Sequence, residues 1–284
     1  MWSGVYNSDM VARGSTSADD LIARLGQLGD LRVWSVIITI FGDAVMPRGG
    51  VVPASALSAL TDRLGIRPEA LRVALYRLAK DGWITRRKSG RNSFYGLSET
   101  GAAEFLSASR RIYARAPQLH GPWRLAALPH LTEPARAAQD KLMRAAGFLP
   151  LSPVLFLAPV QAGKPPAGAA VVEGDFLAPP DWARKALGPQ PLQQDYARLE
   201  AALADTRKSI TRGTPIQSLE AAALRVLVIH QWRRLLLRHA DLPPEVLPKA
   251  WRGEACRAAV LALHETLSPE ADLWLDQAIG QHNG

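Results

Sequence analysis

A chain of 284 residues that is 48% hydrophobic and 21% charged is long enough for two or three domains and apolar enough to bury a core in each, which excludes a disordered or fibrous class. No apolar run reaches the roughly 18 residues needed to span a bilayer. The net charge of +8 is local: residues 30–116 carry 14 basic and 7 acidic side chains, whereas 117–284 carry 18 and 16, a distribution that points to nucleic acid more than to a membrane surface.

Met1 to Ala18 is polar and irregular and is expected to be disordered, and Asp19 to Leu28 forms a short lead-in helix. Leu31 to Ala44 is apolar and reads as a helix, although Val36-Ile37-Ile38-Thr39-Ile40 fits a buried strand equally well by composition. Ala54 to Leu64 carries Leu57, Leu60 and Leu64 at helical spacing. Leu64 to Leu97 then reads as one helix followed directly by a basic hairpin. Leu71, Ala74, Leu75 and Leu78 share one apolar sector, while Glu69, Arg72, Val73, Tyr76 and Lys80 project on the other side. Pro68 suits the first turn and Gly82 the left-handed closing position. Trp83-Ile84-Thr85 and Ser93-Phe94-Tyr95-Gly96-Leu97 are strand-like runs on either side of Ser89-Gly90, the expected hairpin tip. Arg86, Arg87, Lys88 and Arg91 crowd that tip and repel one another unless an anion lies opposite. An isolated amphipathic helix with arginines is more often a solvated surface helix; the contiguity of helix and hairpin, after two earlier helices, favours a winged helix.

Ser98 to Tyr113 reads as a further helix with Ser98-Glu99-Thr100 as its cap. Trp123 to Leu128 is strand-like, Glu133 to Ala146 helical, Pro150 to Ala158 a second strand and Ala169 to Phe176 a third, which together suggest a small sheet covered by helices on one face. From Leu192 onward the chain is helical, with segments through Tyr196–Leu203, Ala221–His239, Glu254–Leu267 and Ala271–Ile279, broken by the proline-rich Asp241–Pro248. Cys256, the one cysteine, lies in a helix-like pattern and is expected to be a core residue. No signal peptide is read at the N-terminus, so the expected compartment is the cytosol.

Catalytic patterns are sparse. No G-x-S-x-G elbow, H-E-x-x-H or P-loop occurs, and the chain is expected not to be an enzyme and to need neither cofactor nor metal. Glu173, Asp175 and Asp181 form one candidate carboxylate set for a hard cation, but three acids in one loop are more simply a solvated turn. His230 and His239, nine apart on one helix, project to opposite sides and do not share a metal.

The segment Phe41-Gly42-Asp43-Ala44-Val45-Met46-Pro47-Arg48-Gly49-Gly50, the helix and wing, and the late Trp232-Arg233-Arg234-Leu235-Leu236-Leu237-Arg238 with Leu242-Pro243-Pro244-Glu245-Val246-Leu247-Pro248 together resemble the PaaX family of bacterial repressors of phenylacetate degradation, over roughly residues 30 to 270. The helix and wing also look like GntR-type winged domains, where Arg67 and Arg72 stand at the positions of base-reading residues. The resemblance implies an α+β protein: a lead-in at 1–29, a winged helix-turn-helix at 30–116, a ferredoxin-like, Cas2-like domain at 117–190 and a helical C-terminal domain at 191–284. It implies a cytoplasmic homodimeric transcriptional repressor bound to a double-stranded DNA operator and released by an aryl- or acyl-CoA thioester such as phenylacetyl-CoA. Its expected DNA-contacting residues are Arg67, Glu69, Arg72, Tyr76, Arg77, Arg87, Lys88, Arg91 and Asn92. For the effector, Arg233, Arg234 and Arg238, with Arg225 on the same helix, are candidates to meet the CoA phosphates and Trp232, with Trp251, to line an acyl pocket; the competing reading is a solvated helix face whose cations suit its C-terminal end. The alternative function is a metal-dependent nuclease built on the Cas2-like domain. Pro68 and Glu69 depart from the donors that related winged domains place there, so the base preference does not carry over.

Overall fold

The computed structural model describes residues 17–117, 121–176 and 179–280; most of the segment expected to be disordered, residues 1–16, lies outside these. Helix α1 (Ala18–Gly26) is started by a reciprocal capping box between Ser17 and Asp20. Helix α2 (Val33–Ile40) settles the ambiguous apolar run as helix, because residues 36–45 are buried without a break, and a segment apolar on every side is a helix enclosed by others. It continues into one π-helical turn (Phe41–Val45) and a 3-10 turn (Met46–Arg48) that ends on Gly49 at φ 87°. Strand β1 (Val51–Pro53), helices α3 (Ala54–Arg63) and α4 (Pro68–Lys80), strands β2 (Ile84–Ser89) and β3 (Asn92–Leu97) and helix α5 (Glu99–Ile112) follow. The three strands form an antiparallel sheet in the order β1-β3-β2. Three helices, a small sheet and a two-stranded hairpin at its edge follow one another in the order expected of a winged helix-turn-helix.

The middle segment departs from the sequence reading in two ways. Pro150 to Ala158 is not one strand: β5 (Leu149–Ser152) and β6 (Leu155–Pro159) pair as a hairpin around Pro153-Val154. With β4 (Trp123–Ala127) and β7 (Ala170–Gly174) they make an antiparallel sheet in the order β5-β6-β4-β7, the strand order of a ferredoxin-like sheet, with α6 (Ala135–Ala145) as the crossover from β4 to β5. The sheet is covered on both faces, not one. Alternate residues of β4 and β6 point opposite ways, so Trp123 and Leu157 pack with Ala183 and Leu187 of α7 (Asp181–Leu187), while Ala126, Phe156 and Ala158 pack with Met143 of α6. The proline-rich connection completes the first of these cores through Leu242, Val246 and Leu247, and Arg184 holds it by donating to the carbonyls of Glu245 and Leu247.

Helices α8 (Gln190–Thr211), α9 (Ser218–Leu236) and α10 (Gly253–Ile279) form the C-terminal part. The two final helices expected from the sequence are one. Pro269 lies inside α10, and the helix persists because Cys256, Val260, Leu263, Leu267, Ala271, Leu275 and Ile279 continue a single buried stripe across it. Cys256 is a buried core residue whose thiol is pushed up by burial. The winged elements and α8–α10 bury side chains in one continuous cluster, with α9 at its centre. Every residue of 221–232 is buried, so α9 is not a solvated face. Among the described residues no helix is long and apolar enough to cross a membrane.

A polar knot fastens the winged part to the C-terminal helices and explains the Phe41–Gly50 motif. Arg225 of α9 donates from Nε to Asp43 Oδ2 at 2.8 Å, from Nη2 to the Asp43 carbonyl at 2.9 Å and from Nη1 to Asp272 at 2.6 Å. Tyr113 and His264 meet the other Asp43 oxygen at 3.0 and 2.9 Å. Arg48 reaches across to Asp272 and Asp276 of α10. Burial pushes the Asp43 carboxyl up, but His264 and Arg225 outweigh it and hold it below the usual carboxylate range. The phenol of Tyr113 moves up, through burial and the Asp43 charge.

Candidate nucleic-acid interface

Helix α4 is presented by its neighbours as the sequence pattern requires. Leu71, Ala74, Leu75 and Leu78 are buried, whereas Val73 and Tyr76 are 51% and 70% exposed. Arg67 is the N-cap and makes no capping side-chain bond, and Pro68 occupies the first turn. The N-terminal amides of α4 are therefore not satisfied by a capping side chain, and a phosphate oxygen suits them. At the far end, Trp83 N donates to Leu78 O at 2.9 Å and Gly82 N to Ala79 O at 3.2 Å, with Gly82 at φ 75°; this is a complete Schellman closure. It turns the chain directly into the wing.

The wing is a six-residue antiparallel ladder from Ile84 opposite Leu97 to Ser89 opposite Asn92. Gly90 leads its two-residue loop at φ 59°, the left-handed position that a tight hairpin demands. Arg86 lies over the Tyr95 ring at 5.9 Å and donates to Ser93 Oγ at 2.9 Å, while Arg87 lies over Phe94 at 5.7 Å. Adjacent strand residues face opposite ways, so the hairpin carries cations on both faces. Ser98 locks the base of the wing to α5: its hydroxyl donates to the Gly82 carbonyl at 2.5 Å and accepts from Gly101 N at 3.0 Å.

All nine residues expected to face DNA, Arg67, Glu69, Arg72, Tyr76, Arg77, Arg87, Lys88, Arg91 and Asn92, are exposed on α4 and the wing. Arg72 and Glu69 pair at 2.9 Å with 74% and 73% of each side chain exposed; such a pair is worth about 0–1 kcal/mol and yields readily to a stronger anion. Arg86, one of the four cations read at the hairpin tip but not among these nine, is exposed on the same hairpin. Its stacking on Tyr95 becomes visible only once the hairpin register is known.

The six residues considered for an effector are dispersed. Trp232 is enclosed in the core and donates from its indole to the Ile112 carbonyl at 2.9 Å. Arg234 folds against the carbonyls of Leu28 and Asp30 at 3.4 and 3.5 Å, and Arg238 is exposed, 3.9 Å from Asp195. Arg225, tied to Asp43 and Asp272, borders a cavity of about 350 Å³, and Arg233 borders two of about 190 and 440 Å³. Trp251 packs edge-on to Tyr196 at 5.1 Å. His230 is buried with Nδ1 3.2 Å from Thr39 Oγ1, and His239 lies beyond the end of α9, against the Tyr196 hydroxyl. The acidic set does not form one loop: Glu173 lies in β7 and pairs with Arg124 at 3.2 Å, whereas Asp181 opens α7. Among the described residues no group of three His, Cys, Asp or Glu side chains is placed to hold a metal.

Comparison with known proteins agrees with this geometry. Residues 32–101 match the family described as PaaX-like protein, and residues 189–277 match the PaaX-like protein C-terminal domain. The chain is 31% identical over 263 residues to Transcriptional repressor PaaX of Escherichia coli (strain K12), covering 84% of this chain and 81% of that protein. A solved structure, uncharacterized protein Rv0674 from Mycobacterium tuberculosis, has the same fold at a TM-score of 0.54 and 22% identity, covering 86% of this chain and 99% of that one. A winged helix anchored through Asp43 to a buried α9, with both family regions matched in order, shows that the chain belongs to the PaaX family of transcriptional regulators.

Proposed function

We propose that the protein is a cytoplasmic, homodimeric transcriptional repressor that reads a palindromic DNA operator with α4 and the wing, and that an aryl- or acyl-CoA thioester releases it. The observation that carries the DNA-binding part is the exposed surface between Arg67 and Asn92, in which the cations of α4 and of the hairpin have no buried carboxylate among the described residues to neutralise them. The relative named a transcriptional repressor supports the sign of regulation. The family resemblance supports the effector class. A dimer places two α4 helices on half-sites about one helical turn apart, and a ligand that prefers another arrangement of those helices lowers operator affinity by the same coupling factor.

The test is fluorescence anisotropy of the full chain on DNA upstream of its own gene and of the flanking genes, against unrelated DNA of equal length. Binding at least about 1,000-fold tighter on one upstream fragment, weakened by phenylacetyl-CoA, is the expected result. Equal affinity for all fragments would overturn the assignment as a sequence-specific repressor.

A further inference from the structure

We propose that the groove between α2, the start of the wing and α9 is a small-molecule site, with Arg233 as its polar anchor and Trp34 and Trp83 as its walls. The ligand class is an aromatic body bearing a carbonyl or carboxylate oxygen. This rests on the effector reading above and gives it a place in the fold.

A cavity of about 440 Å³ is bounded by Trp34, Ile38, Trp83, Arg77, Asp81 and Arg233, within the size range of ligand pockets. A second cavity of about 190 Å³ shares Ile38, Trp83 and Arg233 and continues toward Phe105 and Leu237. Trp34, Ile38, Leu78 and Trp83 give the first cavity apolar walls between the charged Arg77, Asp81 and Arg233, and Trp34 is 48% exposed. Flat indole faces with a few polar groups between them suit an aromatic guest.

Arg233 is the unusual group here. The inward arginines Arg225, Arg257 and Arg48 are each paired with aspartate. Arg233 donates only from Nη1, to the Ser35 carbonyl at 2.9 Å and to Thr39 Oγ1 at 3.0 Å, and has no carboxylate partner among the described residues. Its Nε and Nη2 have no acceptor among those residues and lie beside the two cavities, where a ligand oxygen can take the place of water. Arg111 and Arg234 also lack an acid, but Arg111 caps the carbonyls of Leu236 and His239 at the end of α9, and Arg234 borders only a space of about 20 Å³.

The position also supplies the coupling. Trp83 is the residue whose amide closes α4, and its carbonyl accepts from Ser98 at the base of α5. Arg77, on the same wall, is one of the exposed α4 cations. A ligand wedged between Trp34 and Trp83 therefore acts on the joint between the recognition helix and the wing, and occupancy and operator affinity are linked reciprocally.

Titration calorimetry of the full chain with phenylacetate and with phenylacetyl-CoA separates the two sources of the carbonyl oxygen. At least one of them binds, and Arg233→Gln and Trp34→Ala each weaken that binding tenfold or more. If Arg233→Gln does not fold, as judged by circular dichroism, Trp34→Ala decides, because its side chain is half exposed. Unchanged affinity in the folded variants, with operator release by the thioester intact, would remove this site and keep the effector reading. No binding of either compound, and no effect of either on operator affinity, would overturn both, while DNA binding in their absence would keep the assignment as a DNA-binding protein.

Discussion

Arginines on α9 and arginines on the wing look alike in sequence and have opposite surroundings. Arg225 is 4% exposed and fixed by two carboxylates and a carbonyl; Arg87 and Arg91 are exposed, and the wing that bears them holds no acid. A buried cation must be neutralised within the fold, so its partners reveal a structural role. An exposed cluster of like charges destabilises the surface that carries it unless an outside anion compensates, so it reveals a binding role. Arg233 sits between these cases, half-buried yet without an acid among the described residues.

The largest effects should fall on the buried side of this contrast. Arg225→Leu leaves the buried Asp43 charge with only Tyr113 and His264 to meet it and should cost about 3–5 kcal/mol in urea unfolding, whereas Arg87→Ala should stay within about 0.5 kcal/mol; similar costs for the two would break the distinction. Acid provides a second probe. Burial, with Arg233 and Arg234 nearby, pulls His230 from 6.5 down to about 4. The unfolded chain takes up this proton near pH 6.5 and the folded chain only near pH 4, so stability falls as pH drops across that window, by about 3 kcal/mol. His239 shifts in the same direction and adds to the slope; the Asp43 contribution is lost only at lower pH. A His230→Gln variant should lose most of this dependence, and an unchanged slope would place the proton uptake elsewhere.

On the exposed side, Arg72→Ala should cost about 1–3 kcal/mol on the operator and much less on random DNA; an equal cost on both would mean that Arg72 meets phosphate and not a base. Ser98→Ala, which removes the α5 cap and the tether to Gly82, should lower stability by about 1 kcal/mol, measured by thermal unfolding.

The winged segment was legible because its signals are local. Pro68, Gly82 and Gly90 each mark a backbone conformation, and the spacing of Leu71, Leu75 and Leu78 marks the buried face. Elsewhere the deciding forces are tertiary. Pro153-Val154 turns the chain inside an apolar run that by composition is continuous. Pro269 is a strong local stop, yet the buried stripe on either side of it keeps α10 whole. The burial of α9 follows from packing of the winged elements against it, which no window of that helix contains. For the candidate site, the exposed cations could be named from the sequence, but not the stacking of Arg86 on Tyr95, which depends on register. Trp34 and Trp83 meet Arg233 only across some 150 to 200 residues of chain.

The central claim, that the exposed cations of α4 and the wing face phosphate and bases, is tested most directly by the salt dependence of DNA affinity in the full chain and in an Arg87→Gln, Lys88→Gln, Arg91→Gln triple variant. Log affinity should fall linearly with log salt, and the slope of the variant should be shallower by about one unit for each phosphate that the wing no longer neutralises. Identical slopes for the two proteins would contradict the account and move the wing off the DNA.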